Sequence, residues 1–525
     1  MRRSILLRGR RRAIRADLRR GLAGTALATS SAVFVGLVHA VPVSAVEVPP
    51  DNEPPYRPIS LGEQARLDRC SAGVALHVGG PELKKVAAKA LTGPPEELAV
   101  ATDPVGTMWP LSQAMVKDRD YPESSPTVTT ERRLRWEAAN ETYWQTGWGS
   151  VEKDPPQFGS DIAAFTLSAQ RDLWAKIGTD GHAMASKTSL DRAKAVAAEV
   201  KGKDIHNDAL IEHMLQDATS PYYRSVTASD IARLLRHGGF LAQTPAEDSA
   251  EFRMEVEALK VAWGSCDSRN PDDFYRVMSP MVVTAHMEWE AEYAAQAKPR
   301  ADIVNAEVAA ANEVRKATDA MIESLGQAWL ADQILKWQKY WAGQKATTRP
   351  KPAVFTQATK DLAAARTRAA DQAKLAASAS AAAKAAADKG NTAQHVAWTI
   401  ADGAKTPRGR GLLFAQQSVQ VAKASAAAAE AAAKATLTAS NAAKATVADS
   451  KALYGLAQTQ SHAMKAEFRR VAAQEAAAQA KSGGHRRGRP GKPPRTPPRR
   501  IPRRRPLRRR RRRLVSRRRR PRPSV

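Results

Sequence analysis

An all-α fold follows from three features of this 525-residue sequence. A series of helical stretches runs from residue 81 to 341, and at the end of the last of them apolar residues recur at steps of three and four, the spacing that places them on one helix face. Pro, Ser and Thr precede these stretches and Gly follows them, the residues that start and stop helices. Residues 353–481 then hold 47 Ala in 129 positions, and Ala is the strongest helix former. No segment alternates at period two for long enough to make a strand. Met281-Val282-Val283-Thr284 comes nearest, but it is short and lies inside a helical pattern.

The elements follow in chain order. Pro81 opens a helix, because its fixed φ suits the first turn, and Gly93-Pro94-Pro95 ends it. Residues 131–143 and 161–177 are further helical stretches. Residues 230–237 form a short helix capped by Thr227 or Ser229 and terminated by Gly238-Gly239. Residues 251–263 and 271–296 follow, and residues 302–341 make a long helix that sets Leu330, Ile334, Trp337 and Trp341 on one face. Aromatic residues concentrate before residue 342, which places the packed core there. In the alanine-rich region Asn391 and the loop 406–411 separate the helical pieces. Residues 412–481 can run as one helix of 70 residues, about 105 Å long at 1.5 Å per residue. A seven-residue seam marks its later part, with Val447, Tyr454, Ser461 and Phe468 in one row and Ser450, Ala457, Met464 and Val471 in the other. Gly455 weakens that helix by about 1 kcal/mol relative to Ala. The expectation is a helical hairpin or loose coiled coil, with residues 352–401 packing back on the later helix. Helix–helix self-association through this stalk is a partner such a seam allows.

The expected organisation is a signal peptide at 1–45, a Pro-rich linker at 46–61, a helical head at 62–345, an alanine-rich stalk at 353–481 and a disordered Arg/Pro-rich tail at 482–525. At the amino end, an Arg-rich stretch precedes the apolar residues 21–43, and Val43-Ser44-Ala45 supplies small residues where a signal peptidase reads. This is the pattern of a secretory signal cleaved after Ala45. An uncleaved anchor is the alternative, since the stretch approaches the length of a membrane span. Arg2-Arg3-Ser4-Ile5-Leu6 matches a twin-arginine signal only loosely and lies far from the apolar core. No later segment is apolar enough to span a bilayer. The expected destination is extracellular, with the cell envelope as a second place of residence.

The net charge of +29 points first to an anionic partner. Its distribution narrows that reading. Residues 485–525 carry 20 Arg, one Lys, nine Pro and no acidic residue, and residues 1–45 carry nine Arg and one Asp. The remainder, 46–484, sums to zero, which leaves the body without a net electrostatic footprint for nucleic acid.

Cys70 and Cys266 are the only cysteines. In an exported chain an even pair suggests one disulfide, closing a loop worth at most roughly 5 kcal/mol by chain entropy. Two separate buried thiols are the alternative. Zinc and C-x-x-C spacings are absent.

Other constellations read as structure. Glu212-His213-Met214-Leu215-Gln216, with His206 nearby, fails the H-E-x-x-H order that brings two imidazoles to one zinc. His286, Glu288 and Glu290 stand two residues apart and fall on different helix faces. Asp267, Asp272 and Asp273 suit the positive end of a helix starting near Pro271, and they lack a calcium-loop spacing. Arg408-Gly409-Arg410-Gly411 resembles a phosphate cradle but lacks the preceding strand and the Lys-Ser/Thr pair, so it reads as a helix-entry loop. Trp337 and Trp341 read as core. No catalytic constellation and no cofactor are expected.

Several phrases occur together in order: Arg69-Cys70-Ser71-Ala72-Gly73, Gly79-Gly80-Pro81-Glu82-Leu83-Lys84-Lys85-Val86-Ala87, Glu251-Phe252-Arg253, Cys266, residues 407–413 and Glu467-Phe468-Arg469. In this the chain resembles the amino-terminal region of large secreted actinobacterial proteins of the polymorphic-toxin type. The resemblance covers roughly residues 69–481. It implies an alanine-rich helical region ahead of a variable carboxy-terminal module, with no catalytic residues of its own. It also implies that Cys70 and Cys266 both belong to the helical head, which supports their pairing.

The tail departs from that pattern. As a polybasic arm it would bind nucleic acid or anionic wall polymer by counterion release, through Arg503, Arg504, Arg505, Arg508, Arg509, Arg510, Arg511, Arg512, Arg513, Arg517, Arg518, Arg519 and Arg520. The other origin is a frame shift. A run of the alanine codon GCC read one base late gives CCG, Pro, and two bases late gives CGC, Arg, which matches the tail's composition. The sequence therefore sets up two functional expectations. The preferred one is a secreted, non-enzymatic presentation or trafficking region of a polymorphic-toxin-like protein that has lost its effector module. The other is a secreted polyanion-binding protein acting through the tail.

Overall fold

The computed structural model of the chain describes residues 60–103, 110–118, 126–147, 151–159, 185–215, 226–273 and 275–445, with Thr459 and Ala466 as isolated positions. These residues all lie in one unit, Tyr56–Val525. Among them the regular structure is helical and no strand is formed. Residues 1–45, where a signal peptide is expected, residues 161–177, the 447–471 seam and the Arg-rich tail lie outside the described residues.

The first group of helices comprises α1 (Glu63–Val78), α2 (Pro81–Thr92), α3 (Pro95–Thr102) and α4 (Pro110–Asp118), which pack on one another. Pro81 stands at the first position of α2 and Gly93 closes it, as its sequence predicts. Pro94-Pro95 does more than stop that helix: Pro95 opens α3, since a proline that cannot continue one helix fits the first turn of the next. Asp118, at the end of α4, accepts from the backbone N–H groups of Glu82 (2.7 Å) and Leu83 (3.1 Å) and so caps α2 from another helix.

Helix α5 (Pro126–Thr146) lies along the long helix of the molecule. A small group, α6 (Lys187–Val200), α7 (Ile205–Leu215) and α8 (Ala228–His237), surrounds a separate core of Ala193, Ile211, Met214, Ile231 and Leu234. Thr227 and Asp230 form a reciprocal capping box at the start of α8, and Gly238 ends it with φ 65°. Next come α9 (Ala250–Gly264) and α10 (Ser279–Ala295), packed against each other. The helix expected from Pro271 begins instead at Ser279. Asp273 explains the delay: its Oδ2 accepts from Met278 N (2.8 Å) and Ser279 Oγ (3.3 Å), holding the preceding residues in a loop.

Three long helices make the largest assembly: α11 (Ala297–Ala342), α12 (Pro352–Gly403) and α13 (Ala415–Lys444), each packed on the other two. Helix α12 runs through Asn391 without the break expected there, because alanine on both sides sustains it. Its buried residues repeat every seven: Leu362, Ala369, Ala376, Ala383, Gly390 and Ala397 form one row, and Ala358, Ala365, Ala379, Ala386 and Ala393 a second. That repeat keeps one seam facing its partners. The alanine-rich helices therefore do not stand apart: α11 lies against both.

Large side chains anchor the outside of this bundle. Trp337 is fully buried and donates from Nε1 to Thr146 Oγ1 (2.8 Å), while Tyr143 OH donates to Asp361 Oδ2 (2.6 Å), tying α5 to both α11 and α12. Gly326 is required by Trp136, since a Cβ there would sit 2.0 Å from the indole Cε2.

Candidate functional site

Cys70 on α1 and Cys266 just beyond α9 are joined by a disulfide, with Cα atoms 5.7 Å apart across a separation of 196 residues. Arg66, one turn before Cys70, lies 3.9 Å over the Trp263 ring and donates to Ser268 O (3.1 Å) and Asn270 Oδ1 (2.6 Å). Asn270 Nδ2 in turn donates to Leu61 O (3.1 Å). Burial lowers the Arg66 pKa to about 10. The bridge thus sits beside a buried polar clasp that joins α1 to the segment after α9.

A second clasp joins the first helices to the bundle. Glu307 on α11 is wholly buried. Its Oε1 accepts from Lys84 Nζ on α2 at 2.7 Å, and its Oε2 lies 3.0 Å from His77 Nδ1 on α1. Lys84 also donates to the carbonyls of Leu76 and His77 at the end of α1. Burial works to raise the Glu307 pKa, but Lys84 and His77 overcome it and hold the carboxylate at about 2. The other ring nitrogen of His77 donates to Phe414 O (3.1 Å), at the start of α13.

The turn between α12 and α13 docks into the same region. Arg410 is almost buried and donates through Nε and Nη2 to Glu292 (2.6 and 2.5 Å) and through Nη1 to Glu257 (2.6 Å). Burial opposes its charge, and the two carboxylates outweigh that and raise its pKa. Lys260 links Glu292 (3.0 Å) to Glu288 (2.5 Å), and Arg253 completes the chain at Glu288 (2.6 Å). The Arg253 hydrogen bond, with Lys260, lowers the Glu288 pKa to about 2. Arg300 lies 3.3 Å over the Tyr293 ring and donates to Gly411 O (3.0 Å). The turn needs unusual backbone: Gly409 has φ 93°, Lys405 54° and Leu413 51°. The Arg-Gly-Arg-Gly motif is therefore a plug that carries a buried cation into an acidic socket. Motif reading alone saw only a helix entry, because both acids stand more than a hundred residues away.

The remaining candidates separate. Of Glu212, His213 and His206, His213 lies 3.9 Å from Asp272, and the His206 side chain is outside the described residues. Glu288 and Glu290 serve different cations, the latter accepting from Arg69 at 2.7 and 3.0 Å. His286 stands beside Gly62, its pKa lowered by burial and by Arg66 and Arg69. Glu255, buried on α9, takes Arg236 and, at 2.7 Å, His237 from α8. Shallow grooves flank Arg233, one lined by Asn207, Phe240, Tyr275 and Met278 and the other by Ser229, Asp230 and Asp267. Among the described residues no three His, Cys, Asp or Glu side chains gather as metal ligands, and no helix is long and apolar enough to cross a membrane. The thirteen tail arginines, Arg503 to Arg520, lie outside the described residues. No family model, curated protein or solved structure matches this chain.

Proposed function

We propose that the protein is an exported helical carrier, a non-enzymatic presentation region whose working property is a fixed connection between the disulfide-closed helices and the alanine-rich bundle. The observation that carries this is the Arg410 plug. The turn between two alanine-rich helices is seated by a buried cation on acids from α9 and α10, and Arg300 and His77 hold its neighbouring carbonyls. Charges that a catalyst would keep available, on Glu257, Glu292 and Glu307, are here committed to joining helices. The amino-terminal signal pattern and the disulfide support export.

The test is to express the full chain with a folded enzyme reporter fused at its carboxy end in a secreting host. The carrier reading expects active reporter in the medium, and a fall in its yield with Arg410→Ala. Reporter retained in the cells, or export indifferent to the plug, would remove the reading.

A further inference from the structure

The zero net charge of residues 46–484 hides a division. Residues 46–351 hold 44 acidic and 35 basic residues, whereas residues 352–484 hold 8 and 17. Within that stretch α12 and α13 themselves hold nine basic and five acidic residues, and the structure shows where much of the basic charge lies. Arg366 on α12 donates from Nε to Ala443 O on α13 (2.9 Å), which puts it beside Lys444. Farther along the same seam, Lys434 pairs with Glu430 (2.6 Å), and Lys384 from α12 acts on the same carboxylate. Lys423 then reaches Asn391 Oδ1 across the seam (2.8 Å). Lys384, Lys423, Lys434 and Lys444 are all solvent-exposed.

These contacts string five cations along the outer α12–α13 seam between the levels of Lys444 and Lys423, about 32 Å at 1.5 Å per residue. Glu430 is ion-paired among them, Asp388 stands one turn from Lys384, and Asp371 on the same stretch of α12 is paired with Lys374. The Lys434–Glu430 pair is exposed on both sides, so it yields readily to a competing anion. The residues between the cations are mostly alanine, serine and threonine, which leaves the seam low and open. Residues 366–391 and 423–444 contain no Phe, Tyr or Trp. Single-stranded nucleic acid is held by stacking its bases on aromatic rings as well as by charge, and this surface offers only charge. Four of the five cations are lysines, point charges suited to phosphate oxygens rather than to planar, bidentate recognition of bases.

We propose that the α12–α13 seam binds a linear, base-free polymer of phosphate groups. This site lies on the helices, is distinct in sequence from the Arg-rich carboxy end, and goes beyond the carrier reading.

The test uses the full chain and reads single residues. Lysines are acetylated with and without inorganic polyphosphate at low salt, and the rate at each position is followed by mass spectrometry. At Lys384, Lys423, Lys434 and Lys444, polyphosphate should slow modification by about tenfold, with protection lost as salt rises. The exposed Lys298 and Lys351 should react unchanged. Single-stranded DNA with the same number of phosphates should leave the seam lysines reactive. In the full chain carrying Lys384→Glu, Lys423→Glu and Lys434→Glu, with unchanged circular dichroism, polyphosphate should no longer shield Lys444. Equal rates at the seam with and without polyphosphate, persistent shielding of Lys444 in the triple variant, or equal shielding by DNA would each overturn the proposal.

Discussion

The two ends of the α11–α13 bundle are held by different means. Toward Glu307 and Arg410 the contacts are ionic, buried and made between residues far apart in sequence: Lys84 and Glu307 are 223 positions apart, Arg410 and Glu292 118. Toward Ser324 and Ala369 the α12–α13 contacts are mainly those of methyl groups, repeated every seven residues, with Ser324 Oγ and Arg366 Nε reaching backbone carbonyls between the helices. An alanine seam buries little area per residue and tolerates sliding, because each step resembles the next. The ionic joints are singular and fix the register that the seam leaves loose. The two ends should therefore respond to perturbation in different ways.

The largest effect is expected at the bridge beside the joints. Cys70→Ser with Cys266→Ser should lower stability by about 5 kcal/mol on the chain-entropy account, measured by urea unfolding against the oxidised protein. An unchanged midpoint would mean that the polar clasp around Arg66 suffices alone. Glu307→Ala should cost about 3–5 kcal/mol, since it leaves Lys84 and His77 buried without their carboxylate. The same residue predicts acid sensitivity. Its folded pKa of about 2 lies below the ordinary 4.5, so its stabilisation is present above pH 4.5 and is lost as pH falls toward 2. Asp118 works in the opposite sense. Burial raises it to about 6, so the folded state gains relative stability as pH falls from 7 toward 4. A stability profile that stays flat from pH 7 to pH 2 in the native chain would refute both assignments.

The bundle should be more forgiving. Gly326→Ala forces Trp136 to move and should cost about 1–3 kcal/mol, with a change in tryptophan emission as the direct readout. Ser324→Ala removes the hydroxyl that reaches Ala369 O and Thr436 O, for about 1 kcal/mol. If Ser324→Ala proved as damaging as Glu307→Ala in thermal unfolding, the contrast between the two ends would fail.

What the sequence made legible follows the same division. The Thr227 cap, one of the two the sequence offers, the Gly238 stop and the Pro81 start are local, acting within one turn, and they stand where the sequence puts them. The Asp273 loop escaped notice because a carboxylate near a proline suits a helix start at either place, and only the Met278 N–H decides between them. Glu307, Lys84, His77 and Arg410 left no local trace, since each looks like an ordinary helix or loop charge until the chain is folded. The basic seam escaped for another reason: summing charge over residues 46–484 cancelled an acidic stretch against a basic one.

The Arg410 plug has a geometric consequence for the far end of α13. Helix α13 starts at the plug and runs back along α12, so that Ala443 is level with Arg366 near the far end of the bundle. Its 30 residues span about 45 Å at 1.5 Å per residue. Residue 445 is thereby set at a fixed distance from the locked turn, as the tip of a ruler whose zero mark is bolted down.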